Sequence, residues 1–86
     1  MITGGIDVGA ETVKAAICAD KELIGWGIVK TGLDRKGSAN KALKLAERAG
    51  GLSAKSVQYL VATGSGRKTI DIADTHISDI IATANL

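Results

Sequence analysis

The fold is decided by residues 4–14, which read Gly-Gly-Ile-Asp-Val-Gly-Ala-Glu-Thr-Val-Lys. Apolar residues ahead of Gly9 predict a short strand over residues 2–8, and alternating apolar residues after the turn predict a return strand over residues 12–19. Gly9 permits the tight turn between them, since glycine takes positive φ without steric cost. The stretch therefore predicts a β-hairpin with an aspartate at the end of its first strand and a lysine on its second.

The hairpin is expected to continue into a third strand. Residues 20–22 are polar and predict a second tight turn, and residues 23–31 again alternate between two faces. One face of this strand is expected to carry Leu23, Gly25, Gly27 and Val29, and the other Ile24, Trp26, Ile28 and Lys30. Three strands joined by tight turns predict an antiparallel meander.

A helical pattern follows the charged loop at residues 32–37. Ser38 is the predicted N-cap, because its hydroxyl can accept an unpaired backbone N–H at a helix start. The helix is expected to run through Arg48 and to end at Gly50-Gly51. Its apolar residues recur at helical spacing, namely Ala39, Ala42, Leu43, Ala46 and Ala49.

The remaining residues predict one more strand and one more helix. Residues 57–63 form the expected fourth strand, and a helix crossover allows it to lie parallel to the first strand. Asp74 or Thr75 is the predicted cap of a last helix, whose apolar stripe is Ile77, Ile80, Ile81 and Ala84. The element order β-β-β-α-β-α predicts a mixed sheet in an α/β layer.

Composition limits the classes of function. The chain has 86 residues and a net charge of +2, which fits one small domain without a basic block. Its two aromatic residues, Trp26 and Tyr59, are far apart, so a nucleic-acid surface is not expected, and Trp26 is expected in the core or an interface. The sequence shows neither a membrane-spanning run nor a signal peptide. The single cysteine, Cys18, is expected in the core or on a sheet face and favours a reducing cytoplasm.

Asp7 lies at the carboxyl end of the first predicted strand, where open α/β sheets bind ligands. A carboxylate there can hold Mg²⁺ directly or through water. Gly9 and the amides after it can approach a phosphate, with Glu11 and Thr12 on the turn. Lys14 can direct a cation to the same place. The alternative is an ordinary hairpin with a solvated aspartate and lysine.

A second glycine-rich loop, residues 63–68, directly follows the fourth predicted strand. Gly64 and Gly66 alternate there as in loops that wrap a phosphate or a nucleotide. The loop lacks the full dinucleotide fingerprint and the Gly-Lys-Thr ending of a P-loop. The alternative is a flexible turn with two exposed basic residues.

Two stretches together resemble one protein family. Residues 5–14 resemble the first phosphate motif of the superfamily of acetate kinase, sugar kinases, Hsp70 and actin. Residues 61–68, with residues 72–74 and 77–80, are similar to the ATP-dependent activators of 2-hydroxyacyl-CoA dehydratases and the ATP-binding subunits of benzoyl-CoA reductases. The resemblance covers most of the chain and corresponds to the N-terminal part of such a protein.

This resemblance implies a fold, cofactors and site residues. Members have two ribonuclease H-like halves with ATP and Mg²⁺ between them, and two subunits share a [4Fe-4S] cluster. ATP hydrolysis drives a conformational change that passes a low-potential electron to the partner enzyme. By resemblance, Asp7 matches the metal-associated aspartate, Lys14 the lysine after it, and the phosphate-binding turn is Gly9, Ala10, Glu11 and Thr12. The ligands of the cluster are absent here.

We therefore expect residues 1–86 to be one partial N-terminal lobe of the ATPase type, a ribonuclease H-like half-lobe that is incomplete relative to the family. Its expected partners are the missing lobe or a dehydratase or reductase, and alone it is expected to be inactive as an ATPase. The alternative is a stand-alone half-lobe that serves as a binding or assembly module, self-associates as a dimer and lacks ATPase activity. A fragment of a sugar-kinase-like enzyme is a third possibility, against which residues 63–79 argue.

Overall fold

A mixed five-stranded sheet with a long helix on one face is the architecture of the computed structural model, which describes residues 1–53, 56–70 and 73–76. The elements are β1 (Ile2–Val8), β2 (Thr12–Ala19), β3 (Glu22–Lys30), α1 (Arg35–Ala49), β4 (Tyr59–Thr63), a 3-10 turn (Arg67–Thr69) and β5 (Thr75–His76). The strand order is β3-β2-β1-β4-β5. β1 pairs antiparallel with β2 and parallel with β4, so the meander and the parallel crossover are both confirmed.

The turn between β2 and β3 explains why the meander forms. Asp20 and Lys21 have φ of 50° and 72°. Positive φ at both central residues matches the right-handed twist of the flanking strands, and aspartate tolerates this region better than most residues. The Asp20 carboxylate also accepts a hydrogen bond of 2.8 Å from the Met1 ammonium group, which lowers the pKa of Asp20. Both groups are exposed, so the ion pair contributes little to stability.

The core lies between the sheet and α1, on what we call the inner face. Its fully buried large side chains on the strands are aliphatic, namely Ile6, Val8, Val13 and Ile17. α1 meets them with small residues, namely Ala39, Ala42 and Ala46. Gly25 and Gly27 of β3 lie directly beneath the helix backbone. Small residues on both elements therefore let α1 pack close to the sheet, without any aromatic ring in the core.

The start of α1 differs from the prediction. Asp34 is the N-cap, and its carboxylate accepts a hydrogen bond of 3.1 Å from the Gly37 amide. The prediction that Ser38 is the N-cap was wrong, because Ser38 lies within the first turn of the helix and is buried. Its hydroxyl accepts from the Gly32 amide and donates to the Asp34 carbonyl, so it fastens the preceding loop to the helix.

The end of α1 and its buried face also differ in detail. Gly50 and Gly51 end the helix as expected, with φ of 72° at Gly51. Ala49, which was placed on the apolar face, is exposed, and Glu47 is buried instead. The Glu47 carboxylate accepts a hydrogen bond of 3.4 Å from the Ser56 amide, so it fastens the segment that leads into β4.

Asp34→Ala tests the observed cap. We expect it to lower the free energy of unfolding by about 1 kcal/mol, because the Gly37 amide loses its acceptor. Urea unfolding followed by circular dichroism measures the change. Asp34→Asn retains a capping oxygen and is the matched control, which should stay within about 0.5 kcal/mol of the parent. Equal loss in both variants would contradict capping and indicate a role for the charge.

The end of the described chain departs from the expected last helix. Thr75 and His76 form β5 and pair in parallel with Val61 and Ala62 of β4. The Asp74 carboxylate accepts a hydrogen bond of 2.8 Å from the Leu60 amide. Of the two residues proposed to cap a helix, Thr75 therefore extends the sheet, and Asp74 bonds back to β4. The expected apolar stripe over residues 77–84 lies outside the described residues.

The opposite face of the sheet, which we call the outer face, carries exposed apolar side chains. Trp26 is 60% exposed there, so it does not lie in the core, and the alternative expectation of an interface stays a prediction. Leu23 and Ile28 on the same strand are 58% and 47% exposed. Cys18 of β2 is buried, as predicted. Within the residues the structure describes, neither helix combines the length and the apolar character that a membrane span requires.

Candidate functional site

Three polar residues, which we call the polar row, lie side by side on the outer face, near the carboxyl ends of β1 and β4. Asp7 of β1 is opposite Lys14 of β2 and opposite Thr63 of β4 in the register of the sheet. Residues that are directly opposite in a sheet point to the same face, so their side chains are neighbours. Thr63 is buried, Asp7 is half-buried and Lys14 is exposed. The row joins a carboxylate, an ammonium group and a hydroxyl at the carboxyl ends of two parallel strands.

The two charges of the polar row remain available to a ligand. In the part of the chain that the structure describes, neither Asp7 nor Lys14 forms an ion pair or a side-chain hydrogen bond. A ligand with a metal ion and an anionic group could therefore engage both side chains without breaking an internal contact. Asp7 keeps its position because β1 is the central strand, with partners on both sides.

The second glycine loop folds tightly against the end of β1. The Gly66 amide donates a hydrogen bond of 3.0 Å to the Val8 carbonyl. Gly64 has φ of 90°, and a Cβ atom built there would lie 2.6 Å from Asp7 Oδ1 and 2.5 Å from the Val8 oxygen. The Arg67 guanidinium donates to the Gly64 carbonyl at 3.0 Å. The loop thus presses its backbone against the polar row, where only glycine fits.

The first turn is held by a residue that follows β3. The Thr31 hydroxyl donates a hydrogen bond of 2.9 Å to the Gly9 carbonyl, and the Thr31 amide donates to the Glu11 carbonyl at 2.9 Å. The Gly9 amide donates to the Thr12 carbonyl at 3.0 Å. The Gly9 amide is therefore engaged within the hairpin, and its predicted approach to a phosphate stays a prediction.

The next two amides are better placed for an anion. Among the described residues, the amides of Ala10 and Glu11 make no hydrogen bond, and both residues are exposed. Successive unpaired backbone N–H groups in a turn form a small concavity that binds anions. The Glu11 carboxylate is exposed at the same turn, where it would repel an anion unless it turns toward solvent.

The polar row fits Mg²⁺ only in a partly hydrated form. Among the described residues, no group of three or more His, Cys, Asp or Glu side chains could hold a metal ion. Asp7 is a single carboxylate, which suits an ion that keeps several waters and takes its other ligands from phosphate oxygens. A [4Fe-4S] cluster does not fit, since it needs cysteine thiolates and the one cysteine, Cys18, is buried in the sheet.

The structure brings together most of the predicted site residues. Asp7, Lys14, Gly64 and Gly66 lie around the end of β1. Ala10 and Glu11 on the turn and Thr12 at the start of β2 are exposed beside it. Thr31 was not predicted to belong to the site. Thr63 lies in the predicted loop at residues 63–68, but its place beside Asp7 was not predicted, because it depends on the register of the parallel strands. No local signal identifies Thr31, because its contact depends on the turn of another strand pair.

A separate groove lies between the end of β3 and the start of α1, with a volume of about 590 Å³. Lys30, Ser38 and Lys41 line it together with the loop between the two elements. The Ser38 hydroxyl already accepts from the Gly32 amide and donates its proton to the Asp34 carbonyl, so it has no donor left for a ligand. We assign no function to this groove.

Comparison with known proteins places this geometry in context. No protein family model matches the chain. An activator of lactoyl-CoA dehydratase from Anaerotignum propionicum is 40% identical over 81 residues, which are 93% of this chain and 31% of the activator. The chain therefore spans about a third of the length of this curated relative.

Solved structures show the same similarity. The chain aligns with component A of the (R)-2-hydroxyglutaryl-CoA dehydratase of Acidaminococcus fermentans at a TM-score of 0.80 and 28% identity, over 91% of this chain and 30% of that one. It aligns with the activator of the 2-hydroxyisocaproyl-CoA dehydratase of Clostridium difficile, solved with bound ADPNP, at 0.80 and 25%, over 93% and 30%. The α/β half-lobe fold predicted from the sequence is confirmed. The chain resembles the activators of 2-hydroxyacyl-CoA dehydratases over nearly all of its own length and about a third of theirs.

Proposed function

We propose that this chain is a nucleotide-binding lobe of an ATP-dependent activator that drives low-potential electron transfer to a 2-hydroxyacyl-CoA dehydratase. The relatives reported above are activators of such dehydratases, which favours this partner over a benzoyl-CoA reductase. The chain corresponds in this proposal to the N-terminal lobe, a fragment or truncated form, and another lobe would supply the second wall that hydrolysis requires.

One observation carries the proposal, namely that both glycine turns meet at Asp7. The parallel pairing of β1 and β4 sets the carboxyl ends of the two strands side by side. The first turn then offers the free amides of Ala10 and Glu11, and the second presses Gly64 against the Asp7 carboxylate. An ordinary hairpin would not need a glycine backbone within van der Waals contact of its aspartate.

The residues suggest a division of tasks at a bound nucleotide. Lys14 would neutralise phosphate charge, and the amides of Ala10 and Glu11 would donate hydrogen bonds to phosphate oxygens. Asp7 would accept hydrogen bonds from the waters of Mg²⁺ or bind the ion directly. Thr63 would lie beside the Asp7 carboxylate on the other side of the polar row. Bound Mg²⁺ would supply charge neutralisation at the phosphates.

Nucleotide binding by the 86-residue chain tests the proposal. We expect a fluorescent ADPNP analogue to bind with Mg²⁺ and to bind at least tenfold more weakly in EDTA, a difference of about 1.4 kcal/mol. Asp7→Asn should abolish the Mg²⁺ dependence, because the amide is a poor metal ligand. Asp20→Asn removes a carboxylate from the far end of the hairpin and should leave affinity unchanged. Binding that is indifferent to Asp7 would contradict the assignment.

We expect the isolated chain not to hydrolyse ATP at an appreciable rate. Half of a cleft neither excludes water nor places groups on both sides of the transferred phosphoryl group. Phosphate release, measured with millimolar Mg²⁺-ATP, should match that of an Asp7→Ala variant. Turnover well above the Asp7→Ala background would show that the lobe is catalytically complete.

The second candidate function is a self-associating binding or assembly module without ATPase activity. It is favoured by the exposed apolar side chains of β3, which are unusual for a surface strand. The cytoplasmic location expected from the single cysteine stays a prediction.

A further inference from the structure

β3 offers an open edge within the part of the chain that the structure describes. The strand is nine residues long and lies at the end of the sheet, where β2 is its one described neighbour. An open edge presents unpaired backbone N–H and C=O groups to any strand that can align with it. The edge lies two strands away from Asp7, so an inference about it does not depend on nucleotide binding.

The hydrogen bonds of the sheet determine which backbone groups face this edge. The Thr31 amide donates to the Glu11 carbonyl, so this opposed pair is a hydrogen-bonded one. In an antiparallel ladder hydrogen-bonded pairs alternate with non-bonded pairs, so Val29, Gly27 and Gly25 also bond toward β2. Trp26 and Ile28 therefore direct their N–H and C=O groups away from β2, toward the open edge.

A register shift near the start of β3 determines which residue comes next in the outward series, by which we mean the residues whose backbone groups face the open edge. Gly25 is opposite Ile17 and Leu23 is opposite Cys18, so Ile24 is an extra residue in β3. Ile24 packs against the core, whereas Leu23 is exposed. After Trp26, the next residue whose backbone N–H and C=O groups face the open edge is thus Leu23.

The outward series is symmetrical about Trp26. Leu23 and Ile28 lie on either side of it, and all three side chains are exposed and apolar on the outer face. An antiparallel second copy would therefore set Trp26 against Trp26 and Leu23 against Ile28 on the outer face.

We propose that β3 pairs with β3 of a second copy of this chain, antiparallel and centred on Trp26, to form a continuous ten-stranded sheet. The outward amides of Trp26 and Ile28 donate to the second strand, and the two indole rings pack against each other on the outer face. This contact would pair the backbone N–H groups at the open edge of β3 and cover the exposed apolar side chains of the outer face. One strand pair buries little area, and the register shift shortens its regular part. We therefore expect a dissociation constant of about 10–100 μM.

Sedimentation equilibrium and amide exchange of the 86-residue chain test this interface. Between about 5 and 500 μM the mass should rise toward the dimer, and emission of the single tryptophan should shift to the blue. Over the same range, the amides of Trp26 and Ile28 should gain at least tenfold protection in exchange measured by NMR. The amides of Gly25 and Gly27 should not change, because they already bond to β2.

A charged residue in place of Trp26, which lies at the two-fold axis of the proposed dimer, tests the interface against a matched control. Trp26→Lys sets two like charges opposite each other, so the dimer should be lost at 500 μM while the far-ultraviolet circular dichroism spectrum is kept. Leu33→Lys makes the same kind of change at a fully exposed loop residue and should dimerise like the parent. A monomer at 500 μM, a dimer that survives Trp26→Lys, or a dimer without alternating protection in β3 would each overturn the proposal.

Discussion

Gly25→Ala is expected to lower the free energy of unfolding by about 3 kcal/mol or more, a large share of the total stability of a small domain. A Cβ atom at this position would lie 2.2 Å from the Ala46 oxygen and 2.6 Å from the Gly50 nitrogen. Both are backbone atoms of α1 or its cap, so no side chain can rotate away. The helix must lift from the sheet, which separates Ala42 and Ala46 from the strands they bury.

Two effects of this substitution oppose each other, and their magnitudes decide the sign. Alanine restricts the unfolded chain more than glycine and by itself would stabilise the fold by about 0.4–1 kcal/mol. Displacing α1 by even a fraction of an ångström costs more, since interiors pack as densely as organic crystals. Gly32→Ala is the matched control, because its Cβ would meet nothing closer than Ser38 Oγ at 3.5 Å. Urea unfolding of both variants should separate them by at least 2 kcal/mol, and equal stability would show that α1 does not pack as described.

Alternation and turn residues predict most of this fold. The meander follows from Asp20 and Lys21, whose positive φ allows a tight turn where apolar alternation breaks. The first hairpin was predicted from a positive φ at Gly9, which the structure does not show. A Cβ atom at Gly9 would lie 3.0 Å from the Thr12 oxygen, so the close approach of the backbone favours glycine there. The extra residue Ile24 could not be predicted, because Leu23 and Ile24 are both apolar and either fits the inner face. The start of α1 was missed for a similar reason. Asp34 and Ser38 are both capping residues, and Gly37 favoured a loop between them.

The sequence predicted the site contacts that lie within one hairpin better than those between strands that are far apart in the chain. Asp7 and Lys14 face each other because the turn at Gly9 fixes the hairpin register, which the sequence contains. The place of Thr63 beside Asp7 depends on the parallel register of β1 and β4, which a helix crossover does not determine. The use of the Gly9 amide inside the hairpin depends on the exact turn geometry. Tertiary pairing, rather than composition, decides these contacts.

Gly64→Ala is expected to disable the proposed nucleotide site more completely than any substitution on the first turn. The added methyl group would meet the Val8 oxygen at 2.5 Å and Asp7 Oδ1 at 2.6 Å. It would also force a non-glycine residue to φ of 90°, which costs of order 1–3 kcal/mol by itself. Either the loop moves away from β1 or the Asp7 carboxylate rotates, and both outcomes separate the two glycine turns.

Gly51→Ala separates the cost of the positive φ from the cost of the steric contact with Val8 and Asp7. Gly51 also has positive φ, at 72°, but a Cβ there would meet no atom within 4 Å. It therefore bears the backbone cost alone, and we expect it to lose about 1 kcal/mol of stability with unchanged affinity for the Mg²⁺-ADPNP analogue. Gly64→Ala should lose more stability and at least tenfold in affinity under the same conditions.

The comparison of the two alanine variants tests whether the second loop acts on Asp7. If Gly64→Ala binds the analogue as well as Gly51→Ala does, the close approach to the carboxylate has no role in binding, and the loop only closes the end of the sheet. If affinity falls while the Mg²⁺ dependence also disappears, the displaced group is Asp7. Loss of affinity with the Mg²⁺ dependence retained would instead assign the second loop to direct phosphate contact.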